Sequence, residues 1–593
     1  MRTMAQSTLL VAVILFAPPI AGHSAEIDGA KKALDQGRDA YAKKDFDLAI
    51  KCYAEAIRLK PDYGSAYYNR ALAYKSKGDD DKAIADYSEA IRVRPKLAEA
   101  YWGRGVEYAT KGDLDRAIAD FNDAIRFDPT IFEAYYNRAQ ANESKGEYDK
   151  AIADYTEAIR LKPGNADAYY SRGFAYGRKG EYDKEIADYS DVIRLKPDYA
   201  PAYYHRGFVY SRKGGYEKAV ADETEAIRLK PDYAEAYYKR GFAYKEKGEF
   251  DKAIADETEA IRLKPDNSDA YIIRGNAYLR KNANDKAIAD FTDAIRLKPD
   301  DANGYYNRGR ALERKGEYDK AITDYTDAIR LKPDDADAYC GRGYCYDVNA
   351  ILELTDSLVK GEHDKAVADY TEAIRLKPGN ATAYYGRGVC YDTEGRRETA
   401  SSLVRDDMDK AIADYTEAIR LKPDYVNALY KRGDAYASSG ESDKAIADDT
   451  EAIRLKPGFA DAYISRGVAY DRKGNHDKAI ADYTDAIRLK PNDALAYVNR
   501  GGAYGQKGDY DSEIADCTTA IRLDPKDPFA FSNRGSGYEK KGEFDKSIAD
   551  FSDAIRLRPN DARQHDRRAA AYEKNGEMSK AEADRAEAKR LRQ

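Results

Sequence analysis

The chain has 593 residues, with 99 Lys and Arg against 106 Asp and Glu and a net charge of -7. Both signs of charge are mixed along its length, which argues against the clustered basic stripe needed to bind nucleic acid. Tyr occurs 52 times against 15 Phe, 5 His, 5 Cys, 4 Met and 1 Trp. Such a skew fits one short pattern copied many times better than the roughly four unrelated domains that ~150 residues apiece would give. The few Cys form no CxxC pair, so a disulfide framework and a zinc knuckle are both excluded.

Residues 1–25 differ from the rest. Arg2 precedes an apolar run from Leu9 to Phe16, and Ala21, Gly22, Ser24 and Ala25 supply small residues before charges begin. Basic start, short apolar centre and small-residue end make a secretory signal peptide. The expectation is an exported protein, periplasmic or extracellular, cleaved between Gly22 and Ala25, with no membrane span after removal. The alternative is a retained anchor, for which the run is short.

From residue 26 onward the prolines set a ruler. Pro61 to Pro333 recur every 34 residues, Pro378 and Pro423 follow at 45, and Pro457 to Pro559 return to 34. A 34-residue period with helical patterning is a two-helix solenoid unit. In the unit ending at Pro491, Tyr463, Gly467 and Tyr470 share one face of a first helix, which Gly474 and Asn475 break. Ala479, Tyr483 and Ala486 share a face of a second helix that Pro491 stops. Small residues let the two backbones approach while the rings fill the gaps around them, and each unit depends on its neighbours to cover its open face.

Tyr463, Arg466, Gly467, Tyr470, Ala479, Tyr483, Ala486 and Pro491 occupy the places of the family pattern Trp, Leu, Gly, Tyr, Ala, Phe, Ala, Pro. The chain therefore resembles the tetratricopeptide repeat (TPR) proteins over residues 30–593. The organisation expected is a signal peptide over 1–25 and a single solenoid over 26–593. Its parts are nine 34-residue units (30–335), two 45-residue units (336–425) and five units with a C-terminal cap (426–593). The resemblance implies an all-α, right-handed superhelical solenoid of about 16 helix-turn-helix units, whose first helices line a concave groove that binds proteins or peptides.

The departures from the family pattern are regular. Where the family has Leu, every unit after the first has Arg, from Arg70 to Arg568, and Asp follows 16 residues later in ordinary units. The reading is an ion pair bracing the two helices of a unit, so that Arg466→Leu, which restores the family residue, should cost little. Glu185 and Glu513 replace a small residue of the second helix, and Glu223, Glu257 and Asp449 replace its aromatic. These units should pack less well.

The inner face of the first helices carries Tyr68, Trp102, Tyr136, Tyr170, Tyr204 and Tyr238, and one turn on Phe174, Phe208 and Phe242. With His205 and Lys239 they form the candidate peptide-binding groove, an aromatic surface suited to an extended peptide. The other reading of each ring is packing against the next unit's first helix. Asn69, Asn137 and Asn307 match one place of the carboxylate clamp of co-chaperone TPR domains, but the leading Lys is missing.

His205, His363, His476 and His565 fall in different units, and the carboxylates recur with the period. No catalytic, metal or cofactor constellation is expected, and Cys345 and Cys390 read as small buried filler. The two long units add eleven residues each, around 348–359 and 393–404. Paired insertions on one edge are a second candidate contact surface. The function expected is a non-enzymatic scaffold or peptide-binding adaptor, the alternative being a structural part of an envelope assembly or polysaccharide-export machine.

Overall fold

The computed structural model describes residues 24–352, 356–397 and 401–592. Most of the leader expected over 1–25, and parts of both insertions, lie outside them. The described residues form 32 helices and no strand. Contacts divide the chain into two bodies, one ending at Ala277 and one beginning at Tyr278.

The Pro491 unit shows why these residues fold as they do. Its first helix, Ala460–Arg472, ends before Gly474, whose φ of 74° is open to glycine at little cost. Asn475 then accepts the Lys478 backbone N–H through its side chain and starts the second helix, His476–Leu489, a cap worth about 1 kcal/mol. Asp477 in the first turn and Arg488 in the last complement the helix dipole. Ala462, Ala469, Ala479 and Ala486 are fully buried around Tyr483. A Cβ on Gly467 would stand 2.6 Å from the Tyr483 ring, so the close approach of the two helices depends on that glycine.

Each ladder arginine does more than brace its own unit. Arg466 donates from Nε to Asp482 Oδ2 at 2.8 Å and from Nη2 to Oδ1 at 2.7 Å. Its remaining Nη1 donates to Thr450 Oγ1, on the second helix of the preceding unit, at 3.1 Å. The guanidinium lies 5.7 Å from the Tyr463 ring centre and 6.0 Å from that of Tyr470. Those two rings therefore flank a cation as well as fill gaps between backbones. The same three-way contact recurs at Arg104 with Ser88 and Asp120, at Arg240 with Thr224 and Asp256, and at Arg534 with Thr518 and Asp550. The arginine ties neighbouring units together, a wider role than the brace within one unit read from the sequence.

The long units keep this tie across a separation of 27 residues, Arg342 holding Asp369 and Arg387 holding Asp414. Their helices, Ala336–Leu352 and Asp356–Leu376, then Ala381–Arg397 and Ser401–Leu421, have 17 and 21 residues. The Pro491 unit has 13 and 14. The added residues thus give about one turn to the first helix and about two to the second. No described helix is long and apolar enough to cross a membrane.

Candidate functional site

In the first body the rings two residues before each arginine face two ways. Tyr68, Tyr136 and Tyr170 are half-buried, and each lies on the second-helix tyrosine of its own unit, with centres 5.8, 5.6 and 5.5 Å from Tyr87, Tyr155 and Tyr189. Tyr204 packs at 5.0 Å on Tyr233, at the entry to the next unit. Trp102 is half-buried, its Nε1 without a hydrogen-bond partner among the described residues. Tyr68, Tyr136 and Tyr170 thus cover the second helix of their own unit, while Tyr170 also meets Tyr199 and His205, and Tyr204 meets Tyr233, at the following first helix, so the packing on the next unit read from the sequence holds as well.

The second row is more open. Phe174 is 42% exposed, while Phe208 and Phe242 are half-buried. Lys239 Nζ sits 4.7 Å from the Phe208 ring centre and 4.9 Å from that of Tyr238, joining the two rows, and Lys245 lies 4.8 Å from Phe242. His205 turns inward. It stacks on Tyr189 at 5.6 Å and meets Tyr170 and Tyr204 edge-on. Burial pushes its imidazole down to about 4, so it is neutral at pH 7.

Beneath these rows lie the acids that replace aromatic residues. Glu223 and Glu257 are fully buried, and their carboxylate oxygens reach no hydrogen-bond partner among the described residues. Burial holds both well above the usual carboxylate range, Lys239 acting in the opposite sense on each. Lys239 is itself pulled down by burial and held up by Glu223, Asp269 and Glu257.

In the second body the same register of first helices lines a half-open cavity of about 350 Å³, with Tyr430, Asp434, Ile464, Ser465, Val468 and Arg472 among its walls. Behind it is Asp449, fully buried, where most units carry a ring. A Cβ on Gly433 would come within 2.9 Å of Asp449 Oδ1, whereas the corresponding Gly467 meets the Tyr483 ring. Sequence comparison of the units identifies the substitution; that the acid is fully buried beside Gly433 emerges only from the packing.

A second polar cluster was not legible from spacing. His363, almost fully buried, places Nδ1 3.0 Å from Glu394 Oε1, and Cys390 Sγ donates to Asp347 Oδ1 at 3.5 Å. Burial keeps the Cys390 thiol well above its ordinary range and therefore protonated, the wrong state for a nucleophile. No group of metal-ligating side chains occurs among the described residues.

Comparison with known proteins agrees with the architecture. The profile described as TPR repeat matches residues 105–146, 143–180, 178–214, 212–248, 359–395 and 405–440. Profiles described as tetratricopeptide repeat match 34–96, 238–302, 272–336, 306–349, 426–459, 460–493, 494–527 and 530–561. The chain belongs to the tetratricopeptide repeat family. No curated protein matches it. Among solved structures, MamA is 33% identical, with 28% of this chain and 96% of that chain covered and a TM-score of 0.27. YrrB, described as a TPR protein with an unusual peptide-binding site, is 24% identical over 31% and 95%, with a TM-score of 0.30. A tetratricopeptide repeat protein from Parabacteroides merdae ATCC 43184 is 20% identical over 45% and 98%, with a TM-score of 0.33.

Proposed function

We propose that this chain is a non-enzymatic scaffold that binds a protein or peptide partner through the first-helix face, and that it works after export, in a periplasmic or extracellular space. The observation that carries the binding reading is Phe174. It presents a large apolar side chain to solvent, next in register to Phe208 and Phe242, while the rings one turn earlier are packed on other rings of their own or the following unit. A large exposed ring continuous with an aromatic row is a partner anchor more readily than a packing residue. Membership of the TPR family, whose members typically act as interaction scaffolds, supports the same reading. The leader-like composition of residues 1–25 supports export.

The test is quantitative capture of partners from the native compartment on wild-type chain and on Phe174→Ser, with helical content measured alongside. The expected result is unchanged helicity and partner affinity lowered by about 1–2 kcal/mol. Equal capture by both chains would refute this use of the face. Amino-terminal sequencing of the native protein tests export, which predicts a first residue between His23 and Glu26 in a non-cytoplasmic fraction. A native chain that begins at Met1 in the cytoplasm would refute it.

A further inference from the structure

Most charges on this array are matched by others on the array, and the aromatic row of the first body departs from that. On the first helices Ala166–Lys179, Ala200–Arg212 and Ala234–Glu246, the arginines Arg172, Arg206 and Arg240 hold Asp188, Asp222 and Asp256. Lys179 is paired with Asp149 and Glu181, Lys213 with Asp183, and Lys245 with Glu246. Three cations are placed differently. Arg178 donates from Nε to the Tyr148 hydroxyl at 3.0 Å, and Arg212 lies 4.7 Å from the Tyr182 ring centre and 5.9 Å from that of Phe208. Lys239 sits between Phe208 and Tyr238. Among the described residues no carboxylate stands at ion-pair distance from any of the three.

The departure is local to the units that carry the phenylalanines. In the register of Arg178 and Arg212 the three preceding units have Ser76, Thr110 and Ser144. Arg314 and Arg472 share that register further along, but each donates to a backbone carbonyl of the preceding unit, Leu279 and Ala437. Arg178 and Arg212 are exposed, and each follows Phe174 or Phe208 by one helical turn, so cation and ring share a face. The acids beneath subtract little from this charge. Burial favours the uncharged form of Glu185, Glu223 and Glu257, against the opposing pull of Arg212 on the first and Lys239 on the other two.

We propose that Phe174, Phe208 and Phe242, with Arg178, Arg212 and Lys239, receive an internal acidic segment of a protein partner that carries aromatic side chains. The proposal rests on the reading of the first-helix face as a binding surface and names the partner chemistry this part of it takes. The partner's rings pack on the phenylalanines, and its carboxylates meet guanidinium groups that no carboxylate of this chain occupies. Complementary charge at such a surface steers encounter and fixes register.

The test is calorimetric titration of the full chain with acetyl-Glu-Phe-Glu-Asp-Phe-Glu-Asp-amide and with the same peptide carrying Gln and Asn in place of Glu and Asp. Both ends are blocked, so no terminal carboxylate contributes. The acidic peptide is expected to bind about tenfold more tightly at low salt, with the advantage shrinking as salt is added. Arg178→Ser with Arg212→Ser, which installs the residue of Ser76 and Ser144 in both places, should remove most of that advantage at unchanged helical content. Arg178→Lys with Arg212→Lys should keep most of it. Equal binding of the two peptides, an advantage insensitive to salt, or an advantage that survives in the folded serine chain would overturn the proposal. So would a peptide with Lys in place of Glu and Asp that binds as tightly as the acidic one. The peptide comparison on the parent chain decides even where the serine variant loses helix. If the peptides are not distinguished while Phe174→Ser still weakens partner capture, the binding face stands and only its preference for acid fails.

Discussion

Arg466 and Asp482 are joined by two parallel hydrogen bonds, and the third arm of the same guanidinium reaches Thr450 in the preceding unit. Only 17% of the arginine side chain and 7% of the aspartate are exposed. Replacing Arg466 by Leu therefore leaves a buried carboxyl without its cation, and the small cost expected from family preference does not hold. Breaking a buried pair from one side costs about 3–5 kcal/mol, whereas removing both partners is far milder. Arg466→Leu should open the second helix His476–Leu489 to hydrogen exchange, Arg466→Lys should do so less, and Arg466→Leu with Asp482→Ala should recover most of the protection. Equal protection in the single and double variants would show that the pair contributes nothing.

The buried acids make stability depend on pH in a defined direction. Burial raises the Glu185 carboxyl from 4.5 to about 7, with Arg212 opposing it. Between those values the unfolded chain has released the proton while the folded chain retains it, so stability falls as pH rises through that window and is level on either side. Glu185→Ala, the small residue of most units, should raise stability at pH 8 by about 1–3 kcal/mol and change little at pH 4. Thermal unfolding of both chains across that range checks the sign. A gain confined to low pH would contradict it.

Two glycines of one unit should respond differently. Gly474 has φ of 74° and open space around an added Cβ, so Gly474→Ala bears only the backbone penalty, about 1 kcal/mol. Gly467→Ala drives a Cβ to 2.6 Å from the Tyr483 ring, an overpacking cost of about 1–3 kcal/mol. Denaturant unfolding of the two variants should rank Gly467→Ala as the more damaging.

The fold was legible because its packing is repeated. Proline, glycine, alanine and tyrosine recur in register wherever two helices must stop or touch, so a pattern in one dimension reports a contact in three. The Arg466 and Asp482 pair was legible for the same reason. Thr450 was not, because a hydroxyl 16 residues before an arginine reads as ordinary helix surface until neighbouring second helices are placed side by side. Its recurrence as Ser88, Thr224 and Thr518 was the available signal. Of the candidate groove, Phe174 is exposed, as a contact residue must be, while His205 lies among three tyrosine rings. Sequence gives the face a residue belongs to, but side-chain direction depends on which neighbours leave room. Asp449 was visible as a departure, and only the packing shows it fully buried against Gly433.

The eleven extra residues of the first long unit leave the Arg342 and Asp369 pair intact. Deleting residues 348–358 restores the ordinary separation of 16 between them. The shortened chain should remain fully helical with a melting temperature close to the parent's. Loss of cooperative unfolding would show that the extension is needed for the array, and loss of partner capture alone would assign it to binding.

Partners held on the first-helix face of an arginine-tied array must shield that face from solvent, and hydrogen exchange of the full chain, alone and with its captured partner, reads this out. New protection concentrated in first helices, including Ala166–Lys179 and Ala200–Arg212 around Phe174 and Phe208, is the expected result. Protection confined to second helices such as Tyr182–Leu195 and Tyr216–Leu229 would contradict it.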